Sequence, residues 1–166
     1  MPATAPHLPP RSRSPHRLLL VSCSAQKNTV TGSVPAWHLY DGVAYRVMKR
    51  ALRAAEWPED LDVVILSSKY GLIEPDAPID AYDEIMTPER AERMQHVVHG
   101  KLVRLIESRA YRELLVFAGQ DYLRALRLSP VWLPRRLSVE VAPGGIGKKL
   151  HRLRLWITAD QERELG

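Results

Sequence analysis

A single cysteine, Cys23, stands among 166 residues, so no internal disulfide can form and a reducing cytoplasm is the expected compartment. No apolar run reaches the roughly 18 residues that a membrane span requires. The run behind Arg11, Arg13 and Arg17, Leu18 to Val21, is too short for the core of a signal peptide. A membrane partner is therefore not expected. There is no internal repeat. His7 and His16 sit in the N-terminal stretch and His96 and His99 on a helical pattern, and none pairs with acids or cysteines at metal-ligand spacing. Neither a metal nor a cofactor is expected. The charge is only moderately one-sided, with 24 basic against 19 acidic residues, a formal net charge of +5 and a pI near 9.6. That balance favours an anionic partner, nucleic acid before others.

What is present fits one domain with a sizeable core, since 45% of residues are hydrophobic. Residues 1–16 carry five prolines and two serines, a composition expected to stay unpacked as a tail, with a single domain over 17–166. "RLLLVSC" and "LDVVILS" predict buried strands, the second continuous rather than alternating, as in a parallel sheet covered on both faces. "ELLVFAG" and "LSVEVAPGG" predict two more. Between them, apolar residues Val43, Ala44, Val47, Met48, Ala51, Leu52 and Ala55 share one face of a helix over 41–56. Thr87-Pro88-Glu89 combines a capping hydroxyl, a first-turn proline and an acid, and starts a helix to about Ser108. It is expected to bury Met94, Val97, Val98, Leu102, Leu105 and Ile106. "DYLRALRL" predicts a short helix and Ile146 to Trp156 a last long one, while a long loop is expected after the second strand, through Asp76, Pro78, Asp80 and Asp83. The alternation gives an α/β fold, a three-layer αβα arrangement with a mainly parallel central sheet of about four strands.

In such sheets the functional crevice lies outside the carboxyl ends of the strands. The four ends read Ser22-Cys23-Ser24-Ala25-Gln26-Lys27, Ser67-Ser68-Lys69-Tyr70-Gly71, Ala118-Gly119-Gln120-Asp121-Tyr122 and Gly144-Gly145-Ile146-Gly147-Lys148. Parallel strands would bring these hydroxyls, lysines and glycine-exposed amides to one rim, which is the chemistry of a phosphate pocket. The glycine run is not a Walker phosphate loop, because Ala142 and Lys149 stand where that motif needs glycine and Ser or Thr. Cys23 has two readings, a buried filler or a nucleophile beside Ser22, Ser24 and Lys27. Asp83 and Asp121 are the candidate general bases, and Asp121 is also placed to cap its helix.

"LLLVSCSAQK", "PAWHLYDGVAYR", "ILSSKYGLIEPDAPIDAYD", "FAGQDYLRAL" and "GGIGKKLHRL" resemble, in order, the motifs CSxxK, LYxGxxxR, SAKYGLL, YD, GxxYxxxL and GIGxxLxxL of a bacterial and phage family, some of whose members are labelled peroxide-stress YaaA proteins. Ser68 replaces the commoner alanine. The resemblance, over Leu18 to Leu153, adds Tyr40 and Arg46 to the candidate positions. It is distantly similar to uracil-DNA-glycosylase-like domains, and Gly119-Gln120-Asp121 followed by Tyr122 is similar to a glycosylase water-activating loop without its proline. What this implies is a nucleic-acid-directed enzyme, DNA rather than RNA, of the N-glycosidase kind. Asp83 or Asp121 would orient water, Ser24, Lys27, Ser68 and Lys69 would hold phosphate, and Tyr70, Tyr82 or Tyr122 would stack on a base. The rival readings are a non-enzymatic DNA-binding protein of the peroxide response and an enzyme acting on a small nucleotide or nucleoside.

Overall fold

A computed structural model describes residues 8, 16–54 and 57–163. The chain runs β1 (Arg17–Ser22), β2 (Val34–Pro35), α1 (Ala36–Leu39), α2 (Val43–Ala54), β3 (Leu61–Ser67), β4 (Gly71–Ile73), β5 (Pro78–Ile79), α3 (Pro88–Ser108), β6 (Glu113–Phe117), α4 (Gln120–Leu126), β7 (Ser138–Val141) and α5 (Ile146–Arg163). Five strands make one sheet in the order β4-β3-β1-β6-β7, parallel except for the β3–β4 pair. Central β1 pairs on both sides, Leu20 lying opposite Val64 in β3 and Val116 in β6. This explains why β1, β3 and β6 read as unbroken apolar runs: both of their faces are covered.

One face carries α2 and α5 over Leu19, Val21, Met48, Ile65, Leu115, Leu153 and Trp156. The other carries α3 and α4 over Leu18, Leu20, Leu66, Val98, Leu102, Val116 and Leu126. The result is a three-layer αβα fold. Thr87 caps α3, its hydroxyl accepting from the Arg90 N–H at 3.2 Å, with Pro88 in the first turn.

Several sequence expectations change. The stretch after β3 is a tight turn followed by β4, not a long loop. Gly71 has φ +76, a conformation that L side chains avoid, and so lets the chain reverse onto β3. Two very short elements were invisible to periodicity, namely α1 and the two-residue β2–β5 ladder, which pairs Val34 with Ile79. The second helix starts at Val43 rather than residue 41, and α5 runs on beyond Trp156. Val43 and Val97, expected inside, are half or more exposed because they lie on the solvent edges of α2 and α3. Ala55 and Glu56 lie outside the described residues, as does most of the N-terminal stretch. Of its described residues, Leu8 packs half-buried against the α2–α5 core, contrary to the expectation that this segment packs nowhere.

Arg17 ties the layers together at the amino end of β1. Its side chain is 3% exposed, bonds the Asp60 carboxylate at 2.8 and 3.0 Å, donates to the Trp156 carbonyl and lies 5.0 Å from the Trp156 ring. Asp60→Ala would leave a buried guanidinium short of its carboxylate, at a cost of about 3 kcal/mol. In a chain of this size that lowers the melting temperature by roughly 6–12 °C. Arg17→Met should cost less, because Asp60 is 21% exposed and can rehydrate. Thermal melts of the two variants measure the order.

Candidate functional site

The loops leaving β1, β3 and β6 meet over the carboxyl edge of the sheet. The chain leaves β1 toward the α2 face and β6 toward the α4 face, so a crevice opens between these adjacent strands, the usual ligand position in open α/β sheets.

Cys23 sits in that crevice. It is half-exposed, and its sulfur accepts from the Ser68 N–H at 3.4 Å, lies 3.6 Å from the Ser68 hydroxyl and 3.1 Å from the Tyr122 hydroxyl. The residue therefore bridges the ends of β1, β3 and α4. Its side chain also packs against the α2–α5 core, so the filler and nucleophile readings both stand. The Ser68 hydroxyl donates to the Glu84 carbonyl at 2.7 Å, which leaves its oxygen to accept from the thiol.

A second node centres on Ser67. Its hydroxyl oxygen accepts from the N–H groups of Lys69 and Tyr70 at 3.1 and 3.0 Å, and so closes the turn into β4. With both lone pairs used, Ser67 donates its own proton to the Tyr82 hydroxyl at 2.8 Å. The Tyr82 proton then faces Tyr40 Oη at 2.6 Å. Tyr45 donates to the Ser22 carbonyl at 3.0 Å, and its ring packs 5.3 Å from that of Tyr40. The phenols are held out of water. Burial pushes Tyr40 up to about 12 and likewise raises Tyr45, Tyr82 and Tyr122, with Cys23 nearby adding to each. All four remain neutral donors at physiological pH.

The walls are aromatic and the charges positive. Lys27 Nζ stands 4.6 Å from the centre of the Tyr82 ring, and Lys69 Nζ 6.0 Å from the same ring and 5.4 Å from that of Tyr70. Tyr70 and Tyr82 meet edge to face at 5.5 Å. Neither ammonium forms an ion pair among the described residues.

The remaining candidates divide. Ser24 is a brace, donating to the Gln26 carbonyl at 2.6 Å and accepting from the Gly42 N–H at 3.1 Å. A Cβ on Gly42 would fall 2.6 Å from that of Ser24, so only glycine lets the loop and α2 approach. Tyr40 and Ser68 are buried to 0% exposure, which makes them supports rather than ligand contacts. Arg46 is exposed and paired with Asp41 at 3.0 Å. Gly119 and Gln120 are exposed where α4 begins; Gly119 is its N-cap, so Asp121 lies in the first turn, half-buried, and does not cap the helix. Asp83 is exposed between two anchored neighbours, Tyr82 and Glu84. Gly145, Gly147 and Lys148 are exposed at the start of α5, and no hydrogen bond links them to the Cys23 node.

Two contributors, Glu84 and Arg90, escaped sequence reasoning, and Ser67 was placed at the strand-end rim without its partners. Arg90 in fact reaches back to both Glu84 and the Ser68 carbonyl, fastening the Tyr82 segment under the turn. A separate cleft of about 60 Å³ opens near the amino halves of β1 and β3, but its polar wall is self-satisfied: Arg109 and Tyr111 both donate to Asp62, at 3.1 and 2.6 Å.

A family model described as "Family of unknown function (DUF6884)" matches residues 18–155. No curated protein matches the chain. The crystal structure of AF0587, a protein of unknown function, has a similar fold, with a TM-score of 0.53 at 15% identity over 86% of this chain. The match spans 44% of that protein's length, and at this identity it speaks to the fold alone.

The buried phenols predict an alkaline limit. In the unfolded chain tyrosine ionises near pH 10. In the folded protein Tyr40, Tyr45, Tyr82 and Tyr122 do not, so the unfolded state loses protons first and stability falls as pH rises from about 10 toward 12. A spectrophotometric titration should show no more than two of the six tyrosines ionising before unfolding. Early ionisation of four or more in the native protein contradicts the burial of this cluster.

Proposed function

We propose, from the premise that this chain belongs to the DUF6884 family of unknown function, that it is a nucleic-acid-directed enzyme acting on a base or nucleotide held at the carboxyl rim of β1, β3 and β6. The carrying observation is the pair Lys27 and Lys69, two cations without carboxylate partners among the described residues, 4.6 and 6.0 Å from the centre of the Tyr82 ring. Holding two like charges beside one aromatic ring is costly without an anion near them, and a phosphate joined to a stacking base supplies both complements.

The reaction is N-glycosidic hydrolysis, the activity drawn from the resemblance to glycosylase-like domains. Water adds to the anomeric carbon as the bond to the base nitrogen breaks and the base leaves with the electron pair. Asp121, half-buried directly before Tyr122, takes the proton of the attacking water, and the neutral Tyr122 phenol returns a proton to the departing base. The lysines hold the flanking phosphate. Asp83, out in solvent, is the weaker base candidate.

Oligonucleotides carrying uracil, hydroxymethylated or oxidised bases, incubated with the protein and then assayed for abasic sites, test the reaction. Asp121→Asn should slow turnover about 10²- to 10⁴-fold while binding persists. Lys69→Ala should weaken binding about 10- to 100-fold, the range for losing a charge-assisted hydrogen bond. Tight binding with no abasic product from any substrate favours a non-enzymatic DNA binder. An unchanged affinity in Lys69→Ala removes the rim altogether.

A further inference from the structure

The two helical layers differ in charge. Helices α2 and α5 carry nine of the 24 basic residues and two of the 19 acidic ones, Asp160 and Glu162 near the C-terminal end of α5. The rest of the chain is left with 15 basic against 17 acidic residues, so these two helices account for more than the whole positive net charge. They are also neighbours, since α2 packs on α5 over the same face of the sheet. α3, on the opposite face, mixes Glu89, Glu92 and Glu107 with its arginines.

Packing sorts the residues by face. Ala44, Tyr45 and Met48 of α2, and Leu153, Trp156 and Ile157 of α5, turn inward. Arg50, Lys148, His151 and Arg154 turn outward and are exposed, while Lys149 is half-buried. Two cations of this layer are neutralised, Arg46 by Asp41 and Arg152 by Glu140, the latter through bonds of 2.6 to 3.0 Å. Arg50, Lys148, Lys149 and Arg154 form no ion pair among the described residues. Unopposed cations on adjacent helices repel one another, which a bound polyanion would offset.

Position adds direction. Both helices begin at the carboxyl edge of the sheet, where Cys23, Lys27 and Lys69 lie, and run away from it for about 1.5 Å per residue. We infer that the α2–α5 face is a docking track for the sugar-phosphate backbone of a nucleic-acid strand whose target nucleotide enters the rim; this rests on the rim reading above and makes the substrate a polymer rather than a free nucleotide. An anionic membrane fits less well. The large apolar residues of α2 and α5 are spent on the core, leaving Val43, Ile146 and Leu155 as scattered exposed aliphatics rather than an insertable face.

The test compares Arg50→Gln/Arg154→Gln with a charge-matched control on the other face, Arg93→Gln/Arg104→Gln. Affinity for a labelled 20-nucleotide strand, its duplex and a nucleoside monophosphate is measured from 50 to 200 mM salt, with vesicles of phosphatidylserine as a separate arm. Each lost phosphate contact should reduce the salt slope by about 0.7 for the single strand and 0.9 for the duplex. The track variant should thus lose about 1.4 to 1.8 in slope, the control close to none, and monophosphate binding should match wild type in both. Equal losses in the two variants would mean that only net charge matters and would overturn the track. A 20-nucleotide strand that binds no tighter than the monophosphate would also overturn it while leaving the rim intact. Vesicle binding that the track variant abolishes, without strand binding in wild type, would assign the face to a membrane instead. Circular dichroism melts of both variants confirm that the exposed substitutions leave the fold in place.

Discussion

The hydroxyl of Ser67, fully buried at the end of β3, is the contact on which the rim depends. A buried hydroxyl must find partners or cost several kcal/mol. Ser67 finds three, two amides of its own turn and the Tyr82 phenol from a segment 15 residues on. Through Tyr82 the constraint passes to Tyr40, and through Tyr40 to the loop leaving β1, where a bridge between Lys27 and Tyr40 sets the position of the first lysine. The same turn carries the second lysine, Lys69. One satisfied hydroxyl therefore fixes the spacing of the two cations. Asp80, bonded by Ser33 at 2.7 Å, and the β2–β5 ladder hold the same two loops together from outside.

The two rim lysines form no ion pair among the described residues, unlike most of the partly buried arginines. Arg17, Arg90, Arg109, Arg124 and Arg152 are each matched to a carboxylate. Lys27 and Lys69 face aromatic rings instead. An ammonium over a tyrosine face retains part of its charge for a ligand, and the ring offers that ligand a surface on which to stack. In the proposed reaction the neutral Tyr122 phenol beside Cys23 would supply the proton for a leaving group that departs with an electron pair. The proposed α2–α5 track would extend this logic from one nucleotide to a strand.

Much of the scaffold was legible in the sequence because it rests on local rules. The limits of β3 follow from an unbroken apolar run, and the start of α3 from the Thr87 cap and Pro88. The short elements were not legible: β4 has three residues, and its identity depends on pairing with β3 rather than on any pattern of its own. Cys23, Lys27, Lys69 and Tyr122 were recognised as strand-end residues, since the topology of a parallel sheet brings such positions together. Glu84 and Arg90 were not, and Ser67 was placed at its strand end without its partners, because these roles are contacts between distant segments that no spacing encodes. Burial also separated supports from ligand-facing groups, placing Tyr40 and Ser68 inside and Asp83 in solvent.

The central claim is that a phosphate and an adjoining base are recognised together between Lys27, Tyr82 and Lys69. Calorimetric titration of the wild-type protein with a nucleoside monophosphate, the matching nucleoside and inorganic phosphate addresses it most directly. The account predicts that the monophosphate binds more tightly than either fragment, and that Lys27→Ala/Lys69→Ala reduces its affinity to that of the nucleoside. Equal binding of nucleoside and monophosphate by the wild type, or a double variant that keeps the phosphate increment, would contradict it.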